Sequence, residues 1–180
     1  MLIPGITRPD RPRSPILVGV TGTRWLSEPE QRAWRAYLES TRLLFEVLDR
    51  QLQQDAGIPQ AYYEILVRLS ESPDREMRMS RLAEQTRSSR SRLSHAVARL
   101  EERGWVIRLD CDTDRRGQLA RLTDVGFAAL EAAAPGHVEL VHSALIDQLT
   151  PAQVSQLAEI GSAIIAGLEK ACESAPPCEE

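Results

Sequence analysis

Between Met79 and Leu122 the chain reads MSRLAEQTRSSRSRLSHAVARLEERGWVIRLDCDTDRRGQLARL, and this order of patterns leaves few folds open. Ser80 can cap a short helix from Arg81 to Thr86, with Leu82 and Ala83 facing inward. After a polar turn, Ser88 or Ser89 can cap a second helix whose apolar stripe is Leu93, Ala96, Val97 and Leu100. Gly104 ends that helix by supplying a left-handed residue after Arg103. Trp105 to Leu109 then alternates as a strand, Gln118 to Leu122 returns, and Met77 to Met79 can add a short third strand. The pattern is helix, turn, helix, then a ribbon with a basic tip.

Charge sets this stretch apart. The whole chain carries a formal −4. From Arg75 to Leu122 there are twelve Arg against seven Asp or Glu, a surplus of +5, which leaves −9 for the remainder. Attraction to phosphate is local, within a Debye length of about 8 Å, so a basic module on an acidic body suits nucleic acid despite the negative total. On the second helix, the face opposite the apolar stripe presents Ser91, His95, Ala98 and Glu102, flanked by Ser94 on one side and by Arg92 and Arg99 on the other. Small residues beside long donors allow a helix to sit deep in a major groove and reach base edges and phosphates. The same face alone would suit a solvated surface; beside the short helix and the ribbon, contact with double-stranded DNA is the better reading.

The ribbon's turn, Asp110-Cys111-Asp112-Thr113-Asp114-Arg115-Arg116-Gly117, imitates the start of a calcium loop. Arg115 stands where that loop requires glycine and Arg121 where it requires glutamate, so no metal is expected. Asp114 is expected to steady a neighbouring guanidinium while Arg115 and Arg116 reach a minor groove.

The flanking segments read as carriers. Residues 1–26, with Pro4, Pro9, Pro12, Pro15 and basic Arg8, Arg11, Arg13 and Arg24, are expected to form a flexible arm. Ser27-Glu28-Pro29-Glu30 is a capping box that opens a helix to Ala56-Gly57. That helix runs roughly 28 residues, or about 40 Å, longer than one small domain needs, and its stripe calls for a second chain. Residues 58–122 make the reading domain, beginning with a helix lined by Tyr62, Ile65, Leu66 and Leu69. Residues 123–170 form further pairing helices, with a kink expected at Pro135-Gly136 and a second capping box at Thr150-Pro151-Ala152-Gln153. Residues 171–180 read as a loose tail. The expected class is mainly α with a small β-wing: a winged helix-turn-helix flanked by N- and C-terminal dimerisation helices.

Other functions find little support. No apolar run approaches the ~20 residues of a membrane span, and Ile16 to Val20 is too short for a signal-peptide core. Cys111, Cys172 and Cys178 lack metal-ligand spacing and suit a reducing cytoplasm. Ser94 and His95 diverge on a helix, His137 and His142 are not four apart, and no glycine-rich phosphate loop exists, so no catalytic set and no cofactor are expected. Two alternatives stay open: a protein-interaction adaptor on the same fold, and a redox-responsive regulator acting through Cys111, although Asp110 and Asp112 would raise that thiol's pKa.

The run Ser88-Ser89-Arg90-Ser91-Arg92-Leu93-Ser94-His95, then Leu100-Glu101-x-x-Gly104-Trp105-Val106-x-Arg108, Asp114-Arg115-Arg116-Gly117 and Leu122-Thr123-x-x-Gly126, resembles the MarR family of bacterial transcription regulators. The resemblance covers about Ser27 to Leu168. It implies a homodimer on a pseudo-palindromic operator, usually a repressor, with a small-molecule effector. By motif it places the recognition helix on Ser89 to Arg103, bringing in Ser89 and Arg90 as DNA contacts, and the wing tip on Asp114 and Arg116. The family's effector pocket has no transferable signature; Trp34, Tyr37, Tyr62 and Tyr63 are the candidate aromatics, which helical spacing equally assigns to packing. The peroxide-sensing branch carries its cysteine near the start of the first long helix, where this chain has none.

Overall fold

A computed structural model describes residues 22–110 and 118–174, with side chains to residue 172. The expectations for the N-terminal arm before residue 22, for the ribbon's tip including Cys111, Asp114, Arg115 and Arg116, and for the last residues lie outside the described residues. Two compact units are distinguished, Met1–Leu38 and Glu39–Glu180. In the first, Ser27 donates its backbone N–H (2.7 Å) and hydroxyl (2.6 Å) to Glu30, the expected capping interaction, and the two bonds hold the Glu30 carboxyl below its usual pKa. The helix that starts here, α1, spans Glu28–Ala56 and so carries the boundary between the units.

The second unit holds the core. Helix α2 (Gln60–Ser70) leads to strand β1 (Glu76–Arg78), which passes directly into α3 (Met79–Gln85). Helix α4 (Arg90–Glu102) precedes the ribbon of β2 (Val106–Asp110) and β3 (Gln118–Leu122), followed by α5 (Asp124–Ala144) and α6 (Pro151–Ser174). The sheet has order β1-β3-β2 and is antiparallel throughout, with Met77 opposite Ala120 and Arg108 opposite Ala120 from the other side. The third strand expected at residues 77–79 is thus present one residue earlier. For the same reason Ser80 is not a cap: with no loop between β1 and α3, Arg78 occupies the cap position and makes no side-chain cap bond, and Ser80 falls inside the first turn.

Leu52, Ile58, Leu66, Leu69, Leu82, Leu100 and Val106 lose all or nearly all contact with solvent, and Leu93 and Val97 join them. Each such side chain contributes about 1.5–3 kcal/mol of hydrophobic free energy. The 3.6-residue stripes of α1, α2, α3 and α4 therefore meet over one side of the small sheet. Helix α5 continues as one helix across Pro135 to Ala144, and a 3-10 turn at Ile146–Gln148 follows it. Thr150 and Gln153 form the second capping box, with Thr150 N–H donating to Gln153 Oε1 at 2.9 Å and Gln153 N–H to Thr150 Oγ1 at 3.3 Å. The apolar side of α6 stands in solvent: Ile160, Ile165 and Leu168 are each more than half exposed.

Candidate nucleic-acid interface

The reading helix is fixed at both ends by its own sequence. Arg87, with φ +48°, turns the chain out of α3, and Ser88 N–H reaches back to Ala83 O at 2.9 Å. Ser89 then caps α4, its hydroxyl accepting from Arg92 N–H at 3.3 Å. At the other end Gly104 takes φ +70°, its N–H donates to Glu101 O (2.8 Å), and Trp105 N–H donates to Leu100 O (3.0 Å). These two bonds close the carbonyl end in the pattern that requires a left-handed residue, as glycine supplies.

Burial of Leu93, Val97 and Leu100 leaves Ser91, Arg92, Ser94, His95 and Arg99 exposed. From Arg90 to Leu100 the helix has no carboxylate. Its first turn, with Ser89, Arg90 and Ser91, shares an open cleft of about 600 Å³ with Ser80 and Glu84 of α3. Free backbone N–H groups and hydroxyls at a helix start suit phosphate oxygens. The structure brings Ser89, Arg90, Ser91, Arg92, Ser94 and His95 onto one continuous surface of α4 and the turn before it.

Arg99 is placed differently. Its guanidinium pairs with Glu102 at 2.8 Å, which raises its pKa, and both side chains line a cleft with Tyr62, Gln53 and Pro59. The neighbouring Arg103 donates to Gly57 O at 2.9 Å and lies over the Trp105 ring.

Sequence reasoning assigned no role to Arg108. From β2 it donates to Ser94 O at 2.7 Å and approaches the Ser94 hydroxyl at 3.4 Å; its N–H donates to Glu101 at 3.0 Å, and its guanidinium pairs with that carboxylate at 3.3 Å. Arg108 thereby bolts the ribbon to the middle of α4 and occupies part of the Ser94 surface. The available signal was its place two residues from buried Val106, on the same strand face.

Of the four aromatics, Trp34 and Tyr37 stack with centroids 6.5 Å apart and are exposed. Tyr62 is half-buried in the Arg99 cleft. Tyr63 belongs to the core, tilted against His137 at 4.5 Å; burial raises the phenol pKa and lowers that of the imidazole. No group of His, Cys, Asp and Glu among the described residues could hold a metal ion.

A family model described as MarR family matches residues 56–117, from the end of α1 into the ribbon. The fold and much of the sequence recur in Sco3205, a MarR family transcriptional regulator from Streptomyces coelicolor solved in complex with DNA: 53% identity over 83% of this chain and 93% of that one, with a TM-score of 0.79. The chain belongs to the MarR family. A second MarR regulator of Streptomyces coelicolor, AbsC, is 44% identical over 82% of this MarR chain and 99% of its own, with a TM-score of 0.78. The transcriptional repressor MprA of Escherichia coli K12 is 27% identical over 114 residues, and that match spans 64% of its length. MarR proteins are transcription regulators and not enzymes. No helix among the described residues of this MarR protein is long and apolar enough to cross a membrane.

Proposed function

We propose that this protein is a homodimeric regulator that binds a pseudo-palindromic double-stranded DNA operator in the cytoplasm and represses transcription by occupying it. The observation that carries this reading is the exposed, carboxylate-free surface of α4 from Ser89 to His95, beside the cleft at its capped start. Ser91 and His95 reach base edges, while Arg90 and Arg92 hold phosphates. Asp114, Arg115 and Arg116 are assigned to the ribbon's tip by motif, where the arginines enter the flanking minor groove. The 53% identical relative was crystallised with DNA, which supports DNA binding by this chain.

Pairing follows from the apolar surface that one chain leaves in water on α6, with Leu43 and Phe45 of α1 also exposed. Two α4 helices in one dimer then meet successive major grooves about 34 Å apart. Response to a small molecule is supported by the cleft of about 450 Å³ in which Tyr62 faces Arg99 and Glu102 of the reading helix. A ligand there acts only through different affinities for the two dimer spacings.

Fragments of genomic DNA captured by the purified protein and sequenced should yield an inverted repeat. On that site His95→Ala should relax preference at particular base pairs, whereas Arg116→Ala should weaken all sequences and lower the salt slope by about one unit. Binding without sequence preference, or with an unchanged salt slope for Arg116→Ala, would contradict these assignments.

A further inference from the structure

We propose that Arg87 is a further phosphate-binding residue of the DNA interface, and that in the free protein Glu169 of α6 holds its guanidinium away from that task. The inference rests on the DNA-binding reading above. Arg87 lies in the turn between α3 and α4, two residues before the Ser89 cap, and so borders the face that runs from Ser89 to His95. Its Nη2 stands 3.2 Å from Glu169 Oε1, a partner 82 residues away along the chain. Glu84, three residues earlier on α3, is the local carboxylate, yet Arg87 pairs with the distant one.

Neither burial nor turn preference accounts for an arginine here. The two side chains of the pair remain 71% and 54% exposed. Arg87 also holds φ +48°, the left-handed region where glycine or asparagine sits with less strain. A residue held in such a conformation is a pointer to function. An ion pair this exposed adds little stability in water, so a competing anion can take the guanidinium from it. The duplex backbone supplies one at high charge density, and two oxygens of one phosphate match the edge of a guanidinium. Glu169 and a backbone phosphate therefore compete for one cation. When the phosphate wins, the freed carboxylate faces like charge and the end of α6 draws back. Leu168, next to Glu169, is 60% exposed on the apolar side of α6 by which two copies pair. A pairing geometry that keeps Glu169 on Arg87 thus disfavours DNA, and DNA disfavours that geometry by the same factor.

The test measures binding of the intact protein to a captured genomic fragment and to a random-sequence duplex, across a range of salt. Arg87→Gly keeps the left-handed turn and removes the guanidinium. It should weaken both duplexes alike and lower the salt slope by about one unit per protomer, whereas Arg87→Lys should keep the slope. Glu169→Gln should tighten both duplexes about twofold to fivefold per protomer, most at low salt. In the Arg87→Gly background Glu169→Gln should change nothing, which separates release of Arg87 from a general loss of negative charge. Glu169→Gln that leaves affinity unchanged or weakens it, or that tightens binding equally with Arg87→Gly present, would overturn the inference while DNA binding by the wild type stands. A wild type that binds neither duplex overturns the DNA-binding reading itself, and this inference with it. Circular dichroism of each variant confirms that the fold is intact.

Discussion

Replacing Gly126 by alanine should unseat the start of α5. Gly126 is buried in the first turn, and its N–H donates to the Thr123 hydroxyl at 3.0 Å. A Cβ built there lies 2.1 Å from Trp105 O and 2.8 Å from both Trp105 C and Leu122 Cδ1. The first two are backbone atoms, so no rotamer change relieves them. Trp105 O also accepts from Thr123 N–H at 3.0 Å, and the Thr123 hydroxyl donates to Gly104 O at 2.7 Å, so displacing α5 strains both bonds. Overpacking costs about 1–3 kcal/mol and two weakened hydrogen bonds about 1 kcal/mol each, while the helix gains roughly 1 kcal/mol from losing a glycine. The net expectation is a loss of about 2–4 kcal/mol, read from urea unfolding at fixed protein concentration. Gly104 is the control, because its φ is +70° and nothing lies within 4 Å of its Cβ position. There alanine costs about 1–2 kcal/mol through backbone conformation alone, and asparagine, which tolerates that region, should cost less. At Gly126 asparagine should be no better than alanine. A neutral Gly126→Ala, or a Gly126→Asn milder than Gly126→Ala, would refute the steric argument.

Ser89→Ala should cost about 1 kcal/mol by removing the α4 cap, whereas Ser89→Asp should keep that stability and weaken DNA binding through charge; equal DNA affinities for wild type and Ser89→Asp would remove this turn from the interface. His137 has its pKa lowered by burial, so as pH falls the unfolded chain takes up the proton first. Its effect is absent above the unfolded value of about 6.5; stability should fall below that pH, by no more than one proton's slope, until the folded pKa is passed. His137→Gln should flatten the difference, as read from unfolding midpoints at pH 5 to 8. Ile165→Glu, on the exposed side of α6, should convert dimers to monomers in light scattering; an unchanged mass would place pairing elsewhere.

The features legible in the sequence are those set by neighbours along the chain. Ser27 with Glu30, Thr150 with Gln153, and Gly104 after α4 act within three or four residues, and each forms the interaction expected of it. The stripe Leu93, Val97 and Leu100 likewise dictated which face of α4 stays in water. What escaped depends on distant partners. Arg108 crosses from the ribbon to Ser94, Tyr63 meets His137 across α2 and α5, and Tyr62 of α2 shares a cleft with Arg99 of α4. Ser80 was misassigned because capping preference assumes a loop before the helix, and here a strand runs straight into it.

Strand β3 is the middle strand of the sheet, and it ends at Leu122, one residue before the Thr123 cap of α5. Nothing between them can act as a swivel. Anyone building a chimeric regulator by transplanting this reading domain onto foreign pairing helices therefore has no neutral seam at residue 122. The exchange must carry Gly104, Trp105, Thr123 and Gly126 as one block, and a graft cut inside it should inherit neither the ribbon's pose nor the helix's angle.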